Sequence, residues 1–250
     1  IARRTIVTLL ISAAGGAVAA LLGLPAAWLM GGALAVAVAA LAGVPVMLPN
    51  WLRDTAFVLT GLSMGASVAR DSLALMVQWP VTLAALALEM VLIISLTGLL
   101  LRKLFGLDRG TAYLSSFPGH LSFVMSIAAA GLGDTRQIII IQVIRILLLT
   151  ICVPIGAMFL PIGHFEGSAG PPMEPATLVS VAIACGVVGF IFTRLRIPAG
   201  YALGAMATSI SAKFAGLFEG QIPPLFLVGV FIMIGALIGF FPVVINTAVG

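Results

Sequence analysis

Long apolar stretches separated by short polar breaks make up nearly all of this chain. Runs of membrane-spanning length cover residues 5–22, 26–42, 52–69, 79–101, 137–160, 177–193, 199–216 and 225–245. They predict eight full helical spans. The links carry helix breakers, among them Gly23-Leu24-Pro25, the two prolines Pro45 and Pro49, and Ile197-Pro198, and they read as turns. A ninth apolar stretch, residues 111–133, is interrupted near its middle by Ser115, Ser116, Pro118, Gly119 and His120. Proline removes a backbone donor and glycine loosens the chain, so a helix entering here breaks. In hydrocarbon the freed backbone groups are tolerated only where protein or a watery cavity meets them. The break therefore marks the candidate site, with a simple proline kink in an ordinary span as the bland alternative.

Composition fixes the class. Of 250 residues, 62% are hydrophobic and 8% charged, with a mean hydropathy of +1.26. That is far outside the range of a soluble domain and predicts an all-α integral membrane protein, a polytopic helical bundle. A closed β-barrel would show short alternating strands instead of continuous runs. The net charge of +4 comes from Lys and Arg scattered between apolar runs, so no basic patch for nucleic acid is expected. Cys152 and Cys185 both lie inside apolar runs and form no disulfide framework. The chain opens on Ile1 without an initiator Met, and a trimmed or incompletely represented protein is expected.

An internal repeat runs through the sequence. LPAAWLMGG at 24–32 matches IPAGYALGA at 197–205, and the match continues to Ala42-Gly43 against Ala215-Gly216. Pro49, Phe57, Gly61 and Gly65 then fall opposite Pro223, Phe231, Gly235 and Gly239, the offset having changed by one residue. Agreement at punctuating Pro, Gly and aromatic positions argues for duplication. The expected organisation is a first membrane repeat over 1–160, an aqueous linker over 161–176 and a second, incomplete repeat over 177–250. The charge rule for loops adds an orientation. If 111–133 dips in and returns as a hairpin, Arg3, Arg4, Arg53, Arg102, Lys103, Arg109, Arg136, Arg194 and Arg196 all fall inside, leaving Arg70 and Lys213 outside. The two copies are then inverted, as in many secondary transporters.

The repeated LPAAWLMGG/IPAGYALGA element and the SSFPGH break resemble the bacterial AbrB-like membrane family, a duplicated integral-membrane module, over most of the chain. The resemblance implies a multi-pass bacterial inner-membrane protein. Family members carry labels such as ammonia monooxygenase and regulator, none of which names a substrate. In the family the second module continues into its own Pro-Gly-Gly segment, which would fall beyond Gly250.

Candidate chemistry is sparse. Glu89 and Arg145 are ionisable residues near the middles of their spans, and an intramembrane charge is a functional-site hypothesis by default. They are candidates for pairing at similar depth, with Glu89 carrying a coupling proton, against a purely structural ion pair. Gln142 lies one turn before Arg145 on the same face. Ser115, Ser116, Pro118, Gly119, His120 and Ser122 surround the break, where the hydroxyls either hold a solute or cap helix ends. The Gly pairs 61/65 and 235/239 predict close helix packing. Two histidines in separate segments, without a carboxylate cluster, argue against a metal monooxygenase. No Walker loop, nucleotide fingerprint or Ser-His-Asp set is present, so no cofactor, metal or catalytic residue is expected. The function expected is a secondary transporter of a small polar or anionic solute, coupled to an ion gradient and open to homodimer formation. The rival is a membrane-embedded regulatory or scaffold protein that affects gene expression through a partner.

Overall fold

A computed structural model describes residues 2–68, 79–118, 124, 127–159, 172–218, 220 and 222–249. Every regular element among them is helical: α1 (Ala2–Leu21), α2 (Ala27–Leu41), α3 (Asn50–Ser67), α4 (Pro80–Phe105), α5 (Arg109–Ser116), a π turn (Ala128–Leu132), α6 (Thr135–Ala157), α7 (Pro175–Arg194), α8 (Gly200–Phe214) and α9 (Pro224–Val249). Each of the eight expected spans coincides with one of these helices. Four of them, α1, α4, α6 and α7, are long and apolar enough to cross a membrane by themselves. The protein is an all-α helical membrane bundle. Its helices α2 and α8 are only 15 residues each, about 22 Å at 1.5 Å per residue, because special backbone conformations bound them at both ends.

Those boundaries are duplicated. Left-handed residues stand at Gly23, Ala26 and Gly43 and again, 173 positions on, at Arg196, Ala199 and Gly216. The hydrogen bonds repeat with them. Gly23 N–H to Ala20 O and Leu24 N–H to Ala19 O recur as Arg196 N–H to Thr193 O and Ile197 N–H to Phe192 O. Gly43 N–H to Ala40 O and Val44 N–H to Ala39 O recur as Gly216 N–H to Lys213 O and Leu217 N–H to Ala212 O. These paired bonds close helix C-termini, where a left-handed residue lets orphan carbonyls find donors. Glycine is the usual occupant, so Arg196 holds this conformation at some backbone cost.

Packing divides the chain into two compact units, Ile1–Val68 with Ile146–Val244, and Ala69–Arg145 with Ile245–Gly250. The first unit holds α1–α3 together with α7, α8 and most of α9. There α1 and α2 form a tight hairpin in which a Cβ on Gly15 would lie 2.3 Å from Gly31 O. The α7–α8 hairpin repeats it, with Gly189 against Tyr201 where Gly16 meets Trp28. The third helix of each copy packs on the second helix of the other. Gly61 and Gly65 of α3 abut Ala202, Ala205, Met206 and Ser209 of α8, while Gly235 and Gly239 of α9 abut Leu29, Ala33, Val36 and Ala37 of α2. Small residues let the backbones approach, and side-chain hydroxyls then bridge them. Ser209 Oγ donates to Leu62 O at 3.0 Å, Ser12 Oγ donates to Ile232 O at 2.7 Å, and Lys213 Nζ donates to Ala66 O.

Candidate functional site

The second unit contains the interrupted segment. Helix α5 starts at Asp108, whose carboxylate accepts from Thr111 N at 3.0 Å. Helix α6 starts just after Asp134, whose Oδ1 accepts from Arg136 N at 2.9 Å and Gln137 N at 3.3 Å. The two starts are tied together, because Asp134 N–H donates to Thr111 Oγ1 at 2.7 Å. Thr111 is fully buried, and a Cβ on Gly110 would lie 1.7 Å from Leu132 O. The stretch that leaves at Gly110 has therefore come back by Gly133. Its two ends meet in a neck, with an open cleft of about 640 Å³ beside it.

Thr111's hydroxyl and amide both bond to Asp108 and hold its carboxyl below the ordinary 3.8. A carboxyl with a folded pKa below its unfolded value contributes stability above the unfolded pKa and loses it as pH falls through the folded one. Melting Asp108→Asn in detergent should therefore give a curve less sensitive to acid than wild type in the window below pH 3.8, since Asn keeps the cap but does not titrate. Identical acid sensitivity would rule out this role.

At the other end α5 stops at Ser116, and Phe117 turns extended with φ −68° and ψ 121°. Pro118 has no N–H to offer, so the last carbonyls need other donors. They find them on α6. Gln142 Nε2 donates to Leu114 O at 3.1 Å and Phe117 O at 3.2 Å. Arg145 Nη1 donates to Phe117 O at 3.3 Å and Ser116 O at 3.5 Å, and Arg145 Nη2 to Gln142 Oε1 at 2.7 Å. A guanidinium at a helix C-terminus also meets the favourable end of the helix dipole. Arg145 follows Thr135 by ten residues, about 15 Å along the axis, half the thickness of a hydrocarbon core.

Two features of this cluster are unsatisfied. Ser115 is buried and its Oγ has no hydrogen-bond partner. Arg145 has five N–H donors, of which the three-way contact with Ser116, Phe117 and Gln142 uses three. Among the described residues the ion pair is Arg53–Asp54 at 2.9 Å, and no carboxylate lies within 4 Å of Arg145.

The structure thus brings Ser115, Ser116, Gln142 and Arg145 together beside Pro118. Gly119, His120 and Ser122 lie outside the described residues, as does most of the expected linker. Glu89 is not brought to the cluster. It is exposed on α4, whose buried residue Gly98 packs on Tyr113 of α5, nine residues or about two and a half turns away. Glu89 therefore points away from α5. The neck residues Asp108, Thr111 and Asp134 were not singled out from sequence. An Asp directly before each helix start, with the cap preference for Asp, is the signal that finds them.

These features define a helical membrane protein in which two helix starts meet in a neck and a mid-helix Gln-Arg pair holds the end of α5. The chain belongs to the family described as transition state regulatory protein AbrB, whose pattern matches residues 2–73 and 28–242. It is 26% identical over 231 residues to a protein of Escherichia coli (strain K12) named "Putative regulator AbrB", covering 86% of this chain and 63% of that one. The chain thus spans less than two thirds of that relative's length. No solved structure matches it.

Proposed function

We propose that this chain is the membrane part of a bacterial inner-membrane secondary transporter for a small polar or anionic solute, driven by an ion gradient. The solute binds where α5 ends, on Arg145, Gln142, Ser115 and Ser116 beside Pro118, and Gly119, His120 and Ser122, next in the sequence, are further candidates. The carrying observation is Arg145: a guanidinium half-way along a spanning helix, without a carboxylate partner among the described residues and with donors to spare. A cation at that depth is costly and calls for an anion or a polar cavity.

An inverted repeat is part of this reading, and the packing supports it. Along α3 the contacts climb from Gly61 with Ala202 to Gly65 with Ser209, so α3 and α8 run parallel. Along α9 the contacts climb from Gly235 with Leu29 to Gly239 with Val36, so α9 and α2 run parallel as well. With α9 returning from α8 through the short link at 215–223, α8 would oppose its counterpart α2. The returning hairpin also keeps Arg109 and Arg136 on one side, in line with loop charge bias.

The names of the family and of the Escherichia coli relative favour a second reading, a membrane-embedded regulator acting through a partner. Flux into proteoliposomes separates the two. Uptake of an anion that is driven by an imposed proton or sodium gradient supports carriage. Absence of flux for solutes of every charge class, with a signalling protein co-purifying, decides for the regulator.

A further inference from the structure

The guanidinium of Arg145 has one edge taken and one edge open. Phe117 O accepts from both Gln142 Nε2 at 3.2 Å and Arg145 Nη1 at 3.3 Å, and Gln142 Oε1 accepts from Arg145 Nη2 at 2.7 Å. These bonds close a ring on the Nη1–Nη2 end of the group. Left over are Nε–H and the second Nη2–H, side by side along the other edge. Arg53 turns that same edge to a carboxylate, with Nε and Nη2 at 3.0 and 2.9 Å from Asp54 Oδ1. On Arg145, which is only partly buried, the edge has no partner among the described residues. A second unused group adjoins Ser116, whose carbonyl Arg145 meets. Ser115 lies one turn along α5 from Thr111, whose hydroxyl accepts from Asp134 N at the start of α6, so Ser115 stands on the side of α5 turned to α6. It is 1% exposed, and its Oγ has no hydrogen-bond partner. A hydroxyl buried in this way costs free energy that an entering polar ligand recovers.

We infer, taking this to be the solute site proposed above, that the solute is a small monocarboxylate, its carboxylate on the Nε–Nη2 edge of Arg145 and another of its polar atoms on Ser115 Oγ. The planar fork matches the two oxygens of a carboxylate in bidentate fashion. Charge narrows the class further. The other described Arg and Lys residues of this unit, Arg102, Lys103, Arg109 and Arg136, stand at helix ends, so among the described residues a single positive charge serves the site at mid-depth. A monoanion is neutralised there. A dicarboxylate, a sulfate or a doubly charged phosphate keeps a net negative charge in low-dielectric surroundings. A halide fills one point and leaves the Ser115 hydroxyl unmatched.

Binding to the full chain in detergent, read as a saturable rise in melting temperature at matched ionic strength, tests this. Propionate, lactate and 3-hydroxybutyrate should protect, with succinate, sulfate, phosphate and chloride about tenfold weaker or worse. This comparison uses the wild-type chain and needs no variant to fold. Arg145→Lys, which keeps the charge and loses the fork, should weaken all three monocarboxylates roughly 10- to 100-fold. Ser115→Ala should weaken lactate or 3-hydroxybutyrate roughly 2- to 10-fold and leave propionate, which has no hydroxyl, as it was. Succinate, sulfate, phosphate or chloride binding as tightly as the monocarboxylates overturns the inference and leaves an anion carrier standing. Protection by no anion, or Ser115→Ala without effect on either hydroxy acid, overturns it too. Monocarboxylate binding of the expected pattern without gradient-driven uptake in proteoliposomes upholds it for the site and overturns carriage alone.

Discussion

Proteoliposomes carrying Arg145→Ala should lose solute flux by roughly 30- to 4000-fold, the loss expected when one partner of a desolvated, hydrogen-bonded charge pair is truncated. The hairpin itself should survive. Phe117 O loses its bond from Arg145 but keeps the one from Gln142, and Leu114 O is untouched; Ser116 O and Gln142 Oε1 lose their donor. Lysine at 145 keeps a charge at the end of α5 but loses the planar fork of donors. It should retain the fold and recover a small part of the flux. If instead Arg145→Ala melts at lower temperature and transports as wild type does, the guanidinium is a helix cap and nothing more.

The largest effect on stability is expected at the neck. Gly110→Ala places a methyl group 1.7 Å from Leu132 O, a backbone atom that cannot swing aside. Relieving the overlap means parting α5 from the π turn and breaking the Asp134 N–H bond to Thr111 Oγ1. Overpacking of this kind costs about 1–3 kcal/mol, occasionally more, so the variant should melt well below wild type in detergent. Gly156→Ala is the control. It sits in α6 with no atom near enough to meet a Cβ, and alanine favours a helix interior by about 1 kcal/mol. Equal melting of Gly110→Ala and Gly156→Ala would show that the neck is not held closed.

Much of this was readable from residue order, because each signal was local. Apolar run length located the helices, and Pro118 after two serines located the end of α5. The repeated Pro-Ala element located the turns before α2 and α8, although the left-handed conformation at Ala26 and Ala199 has no residue-type signature, since alanine seldom adopts it. Pairings across distance were harder. Gln142 and Arg145 were grouped from their spacing on one helix, but no periodicity shows that they reach the carbonyls of Leu114 and Phe117. Equal depth in two spans made Glu89 and Arg145 look like partners. Depth says nothing of azimuth, and the packing of Gly98 on Tyr113 turns Glu89 the other way.

The exchange of third helices bears on biogenesis. Leu62 and Ser209, bonded in the finished protein, are 147 residues apart in the chain. At ordinary translation speeds α3 therefore waits roughly 7–30 s in the bilayer, its glycine flank bare, before the ribosome has made the helix that receives it. During that interval the nascent chain is at its most vulnerable to membrane proteases and to the wrong neighbours, and insertion factors that shield small-residue helices have most to contribute.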